Sequence, residues 1–129
     1  MTASGTLAPL IVRGLGHSTE DLAKLEFTPL RADGRIGVEV HALYSTEQTG
    51  ADGPAASLVR YQPGAGAPTH RHTGYELIYV FEGELITEDG VHPANTLLTM
   101  PPGSVHTPHS DTGCLLLVVW ESPVEPVSS

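Results

Sequence analysis

Three histidines and one glutamate stand out by type and spacing. His70, His72 and Glu76 fall within seven residues, and His106 follows thirty positions after Glu76. Imidazole is a borderline ligand and carboxylate a hard one, so the set suits a divalent first-row metal. We expect one divalent transition metal (Fe, Zn, Ni or Mn) held by His70, His72, Glu76 and His106. Taken singly, each histidine reads as an ordinary strand or surface residue; the set is what carries the expectation. Four protein ligands on an octahedral ion leave two open positions. Such a centre can activate O₂ or chelate a substrate through two oxygens, or it can polarise a carbonyl or activate water. Structural zinc is a poorer match, because those sites are closed, tetrahedral and favour Cys.

The elements that must position these residues can be read from the pattern around them. His70 and His72 are two apart, so on an extended strand they face the same side. Thr73-Gly74 reads as a turn or bulge that re-aims Glu76 toward the pair. From Glu76 the run ELIYVFE alternates, with Glu76, Ile78 and Val80 on one face and Leu77, Tyr79 and Phe81 on the other. Both faces are largely apolar, as in a strand covered on both sides. Pro101-Pro102-Gly103 is a rigid turn that delivers His106 at the start of another extended segment.

Further strands are expected at Ile36 to Tyr44, Ala56 to Gln62, Thr96 to Met100 and Leu115 to Trp120, with a hairpin turning at Asp89-Gly90. Ser18-Thr19-Glu20-Asp21 resembles a helix start, giving at most one short turn over DLAKLEF. Residues 45 to 55 form a polar loop that overhangs a barrel mouth or meets a partner. Tyr61 and His109 are the candidate catalytic residues, the first beside the first motif and the second three positions past His106. Arg60 is balanced between cavity and solvent. Met100 is a cavity or core residue, with packing the better reading. His41 is taken as structural or exposed, His92 as a surface residue far from the metal, and His17 as solvated.

The segment GAGAPTHRHTGYELIYVFEG resembles the first motif of the cupin superfamily, G-x5-H-x-H-x3-E-x6-G, at every defined position. The second cupin motif, G-x5-P-x-G-x2-H-x3-N, is matched at Pro101, Gly103 and His106. Asn95 stands where its leading Gly belongs, and Ser110 where its final Asn belongs. Neither change removes a ligand. More narrowly, HRHTGYELIYVFEGELITEDG and PPGSVHTPHSDTGCLLLV are similar to the cupin domain of ChrR-like anti-sigma factors and their stand-alone relatives. Those carry a second Glu where this chain has Leu77, and the anti-sigma factors add an N-terminal Cys- and His-rich zinc module.

The resemblance implies an all-β fold, the cupin double-stranded β-helix or jelly-roll barrel, and a homodimer. It spans residues 25–121 as barrel, with 1–24 as an N-terminal arm whose apolar Pro9-Leu10-Ile11-Val12 is a candidate edge strand or dimer contact, and 122–129 as a flexible tail. It leaves open a dioxygenase acting on a small carbonyl, enol or aromatic substrate, a non-catalytic metal- or ligand-sensing module, and a zinc-dependent cyclase or isomerase.

Composition agrees with that reading. The 129 residues make one domain, and 14 Gly with 11 Pro among clear apolar runs signal many tight turns. A net charge of −9 and six scattered Lys and Arg argue against nucleic acid, leaving a small molecule as the expected partner. No run reaches the roughly 20 apolar residues of a membrane span. The single cysteine, Cys114, reads as a buried strand residue and suits a reducing cytoplasm.

Overall fold

A computed structural model describes residues 8–16, 20–30 and 36–127. Among the described residues, ten strands form two antiparallel sheets. The larger contains β1 (Thr28–Pro29), β2 (Ile36–Tyr44), β3 (Ala55–Gly66), β5 (Glu76–Thr87), β6 (Gly90–Pro93), β7 (Thr96–Met100) and β9 (Cys114–Trp120). Its order is β1-β2-β3-β9-β5-β6, with β7 also paired to β5. The smaller sheet runs β10-β4-β8, built from Glu125–Pro126, His70–Arg71 and Val105–His106. The fold is the all-β cupin jelly roll that the sequence implied.

Alternation decides which side chains fill the barrel. Val59 and Tyr61 of β3, Ile78 and Val80 of β5 and Leu116 and Val118 of β9 turn inward and form one buried cluster with Val38, Leu85, Leu98 and Met100. Met100 is thus a packing residue. The opposite face of the same strands is covered too. Leu58 and Leu115 are buried there with Leu22, against Leu15, Leu25, Phe27, Leu43, Phe81 and Leu117. Strand β9 therefore buries both faces, which is why CLLLVVW reads as a continuous apolar run.

Several local expectations change on inspection. The short turn after Asp21 is a 3-10 turn, Leu22–Lys24, whose leading Asp21 makes no side-chain cap. Its carboxylate instead accepts from the Arg13 backbone N–H at 2.9 Å. His17, Ser18 and Thr19 lie outside the described residues. The polar loop contains one helical turn, α1 (Thr46–Thr49), closed by a capping box between Ser45 and Gln48. The β5–β6 hairpin pairs Thr87 with Gly90, so Glu88-Asp89 occupy the turn. Segment 122–129, expected as a flexible tail, carries strand β10, which pairs with β4. Among the described residues no helix is long and apolar enough to cross a membrane.

Candidate metal centre

The four expected ligands converge. One nitrogen or oxygen from each of His70, His72, Glu76 and His106 lies within 4.8 Å of the other three, and all four residues are buried. The small sheet explains the convergence. His70 and His106 are direct cross-strand partners of β4 and β8, with Arg71 opposite Val105 on the outer side. His72 is held by the turn that follows Pro101. The His72 N–H donates to Ser104 O at 2.9 Å, and the Gly103 N–H donates to His72 O at 2.8 Å. Glu76 opens β5 in register with Met100 and Trp120.

Two of the rings are oriented from behind. Nδ1 of His70 faces Pro68 O at 3.0 Å, and Nδ1 of His72 faces Ser104 O at 3.0 Å and Ser104 Oγ at 2.8 Å. A proton on each Nδ1 leaves the Nε2 lone pairs pointing inward. There, His72 Nε2 lies 2.9 Å from Glu76 Oε2, His106 Nε2 lies 2.8 Å from His70 Nε2, and His106 Nε2 is 4.0 Å from Glu76 Oε2. Burial, and then the neighbouring His70 and His72, push the His106 imidazole down to about 3. At neutral pH it is an uncharged ring with a free lone pair.

The donors fit a metal ion. Two atoms that each bind one ion at about 2.1 Å lie no more than about 4.2 Å apart. The 2.8, 2.9 and 4.0 Å separations fall inside that limit, and all four donor atoms lie within 4.8 Å of one another. Among the described residues the buried side-chain polar atom without a hydrogen-bond partner is His106 Nδ1, in the same cluster.

A cavity of about 260 Å³ opens onto the cluster, reaching His70, Glu76 and His106. Its walls are Val38, Val59, Ile78, Leu85, Leu116 and Val118, with Tyr61 among them. Thr46, Gly53 and Ala55 of the 45–55 loop line one part of it and Pro123 and Val124 another, so that loop does border the cavity.

His109 lies apart from the cluster. Its backbone pairs with Ile86, and its side chain is 47% exposed, 3.8 Å from Asp111. Arg60 turns outward, with its guanidinium 4.0 Å from the Phe27 ring centre and 3.6 Å from Glu39. His41 is structural, its Nδ1 2.9 Å from Glu26 O. His92 is half-buried rather than a surface residue, with Nε2 2.8 Å from Thr87 Oγ1. Burial pushes the Cys114 thiol up to about 11, which fits a packing residue.

The family model for the ChrR Cupin-like domain matches residues 16–124. The chain belongs to this family. Among solved structures, this ChrR Cupin-like chain is similar to the polyketide cyclase RemF of Streptomyces resistomycificus. The two are 24% identical over 83% of this chain and 82% of that one, with a TM-score of 0.67. It is also similar to an acetylacetone dioxygenase of Acinetobacter johnsonii, at 13% identity over 98% and 83% of the two chains and a TM-score of 0.74. A third similar structure is the Rhodobacter sphaeroides complex of SigE with the anti-sigma factor ChrR. There the identity is 23% over 77% of this chain, with a TM-score of 0.62, and the match spans 50% of that chain's length. At these identities the likenesses establish the fold. No curated protein matches the chain in sequence.

Proposed function

We propose that this cupin is a metal-dependent enzyme for a small organic substrate, a dioxygenase acting on a small carbonyl, enol or aromatic compound. The observation that carries the proposal is the cavity itself, an apolar chamber of about 260 Å³ that ends on three imidazoles and a carboxylate. In this reading His70, His72, Glu76 and His106 hold the metal. A bound divalent ion supplies Lewis-acid polarisation of a ligated oxygen and, when redox-active, a place for O₂ at its open positions.

The chain's own residues supply the rest. Pro68 O and Ser104 fix the ring orientations of His70 and His72, so the donors are set before substrate arrives. Val59, Ile78, Leu116 and Val118 hold the hydrocarbon body and keep water out. Tyr61, on the same wall, is the group we assign to hydrogen-bond a substrate oxygen and hold or deliver a proton there. His109, half-exposed beside Asp111, has no role in this reading. One similar structure is an acetylacetone dioxygenase, which agrees with the reading.

A second reading, a metal- or ligand-sensing module, is favoured by the match to the ChrR Cupin-like domain. A zinc-dependent cyclase is the further alternative. The homodimer implied by the resemblance, and residence in a reducing cytoplasm, belong to all of them.

The test is metal content by mass spectrometry on tag-free protein purified anaerobically, beside Glu76→Ala, with O₂ uptake measured over small dicarbonyls and phenols. We expect near-stoichiometric iron, lost in the variant, and uptake with at least one compound. Metal-dependent binding without turnover would move the assignment to the sensor. Stoichiometric zinc would move it to the cyclase, and no metal in either protein would end the central claim.

A further inference from the structure

We infer that the segment 121–127 is a functional wall of the site, and that Val124 sets the size limit on the ligand that reaches the metal. The inference rests on the reading of the cluster as a metal centre serving a small organic molecule.

This segment is strapped to the ligand-bearing strand by contacts along its length. The Glu121 N–H donates to Tyr75 O at 2.9 Å, and Glu121 Oε1 accepts from the Tyr75 N–H at 3.1 Å. The Thr73 hydroxyl donates to Pro123 O at 2.6 Å and sits 2.7 Å from Ser122 Oγ. Further along, β10 pairs with β4 so that Glu125 lies opposite Arg71 and Pro126 opposite His70. The Val127 N–H donates to Thr69 O at 3.2 Å, and Arg71 meets Glu125 at 3.3 Å.

Gly74 shows how close the approach is. It does not take a left-handed backbone angle, so the turn itself does not require glycine. A Cβ there would fall 2.6 Å from Ser122 Oγ and 2.9 Å from Glu121 Oε1. The missing side chain is the space into which the strap settles.

Between its anchors at Thr73 and Arg71, the strap presents Pro123 and Val124 to the cavity that ends on His70, Glu76 and His106. Pro123 is exposed and Val124 half-buried, as residues at a mouth should be. Apart from Thr46 and Gly53 of the 45–55 loop and Pro108, most of the other lining side chains come from barrel strands and belong to or pack against the core, so they cannot change size without disturbing packing. Val124 stands outside that core cluster. On the side walled by the strap, it is therefore a residue at which ligand bulk can be set independently of the fold. The ligand class is a metal-chelating oxygen head on a compact apolar body, with bulk limited at this side.

The test uses protein loaded with Co(II), whose visible spectrum reports ligation directly, titrated with acetylacetone and with the bulkier β-diketone dibenzoylmethane. In Val124→Ala we expect the affinity for dibenzoylmethane relative to acetylacetone to rise by about tenfold or more. In Val124→Trp we expect the opposite change, with cobalt content unaltered in both. An unchanged ratio in folded, fully loaded Val124→Ala would overturn the inference while leaving the metal reading intact. If acetylacetone fails to perturb the cobalt spectrum of the wild-type protein, the reading of the site falls, and this inference with it.

Discussion

Ser104 offers His72 two acceptors from one residue, its hydroxyl at 2.8 Å and its carbonyl at 3.0 Å from Nδ1. The hydroxyl's own proton goes to Pro101 O at 2.6 Å, so its lone pair is the part turned toward the ring. The Pro-Gly turn therefore does more than deliver His106. It also fixes the tautomer of the histidine that follows β4.

Ser104→Ala removes one of these acceptors and keeps the carbonyl. We expect metal affinity to weaken by about tenfold, the low end of the range for partners that orient a ligand. Competition against a chelating dye reads the affinity, and an unaltered far-UV circular dichroism spectrum shows that the fold persists. Undiminished affinity would mean the carbonyl alone sets the ring.

Gly83 ends the first cupin motif with a φ of +74°, and a Cβ there would run into Gly113 O and Cys114 Cα. Both faults act together in Gly83→Ala, since the angle disfavours L residues and the space is already filled by backbone. A loss of roughly 2 kcal/mol or more is expected. Urea denaturation measures it. A variant as stable as the parent would show that the β5–β9 junction relaxes freely.

Glu88 receives the Thr107 N–H on both carboxylate oxygens, at 3.0 and 3.1 Å. That backbone hydrogen bond, opposed by a smaller cost of burial, holds its pKa below the ordinary 4.5. The sign follows from a folded pKa lower than the unfolded one. The contribution is complete above the unfolded value and is lost as pH falls through the folded value. The group is close to solvent, so the effect is small and screened by salt. Urea midpoints followed from pH 7 into the acid limb should fall more gently for Glu88→Gln than for the parent. Parallel curves would remove Glu88 from the acid response.

Most of the site was legible because its geometry is local. Two histidines two apart in an extended stretch, a bend at Thr73-Gly74 and a glutamate at the start of the next strand are all read within seven residues, and the Pro-Gly turn marks where His106 enters. The second-motif departures were legible only as questions. Asn95 turns out to hold a φ of +71°, the left-handed angle the missing glycine would take. Its N–H donates to Val80 O at 2.7 Å, and its Oδ1 accepts from the Tyr79 hydroxyl at 3.0 Å. Ser110 is fully buried, donating to Glu84 O at 2.6 Å and accepting from the Gly113 N–H at 2.9 Å.

What the pattern hid was long-range. The pairing of β10 with β4 joins residues more than fifty apart, and its Pro- and Ser-rich sequence carries no strand signal. Half-buried His92 was hidden for a related reason, because its bond to Thr87 depends on hairpin register rather than composition. The chain does bend at Thr73-Gly74 as expected, but the glycine is there as clearance for a distant segment and not for its backbone angle.

The placement of β9 between β3 and β5 has a consequence for how the chain acquires its structure. Hairpin-like partners such as β2 with β3, or β5 with β6, can meet early because little chain separates them. The seam that joins these halves is made by a strand that leaves the ribosome after both. Until residues 114–120 emerge, β3 and β5 each expose an unpaired edge, and apolar faces on both sides of the future sheet stand open. Assembly of this barrel should therefore be slow and late, with its greatest risk of mispairing just before the last central strand is inserted.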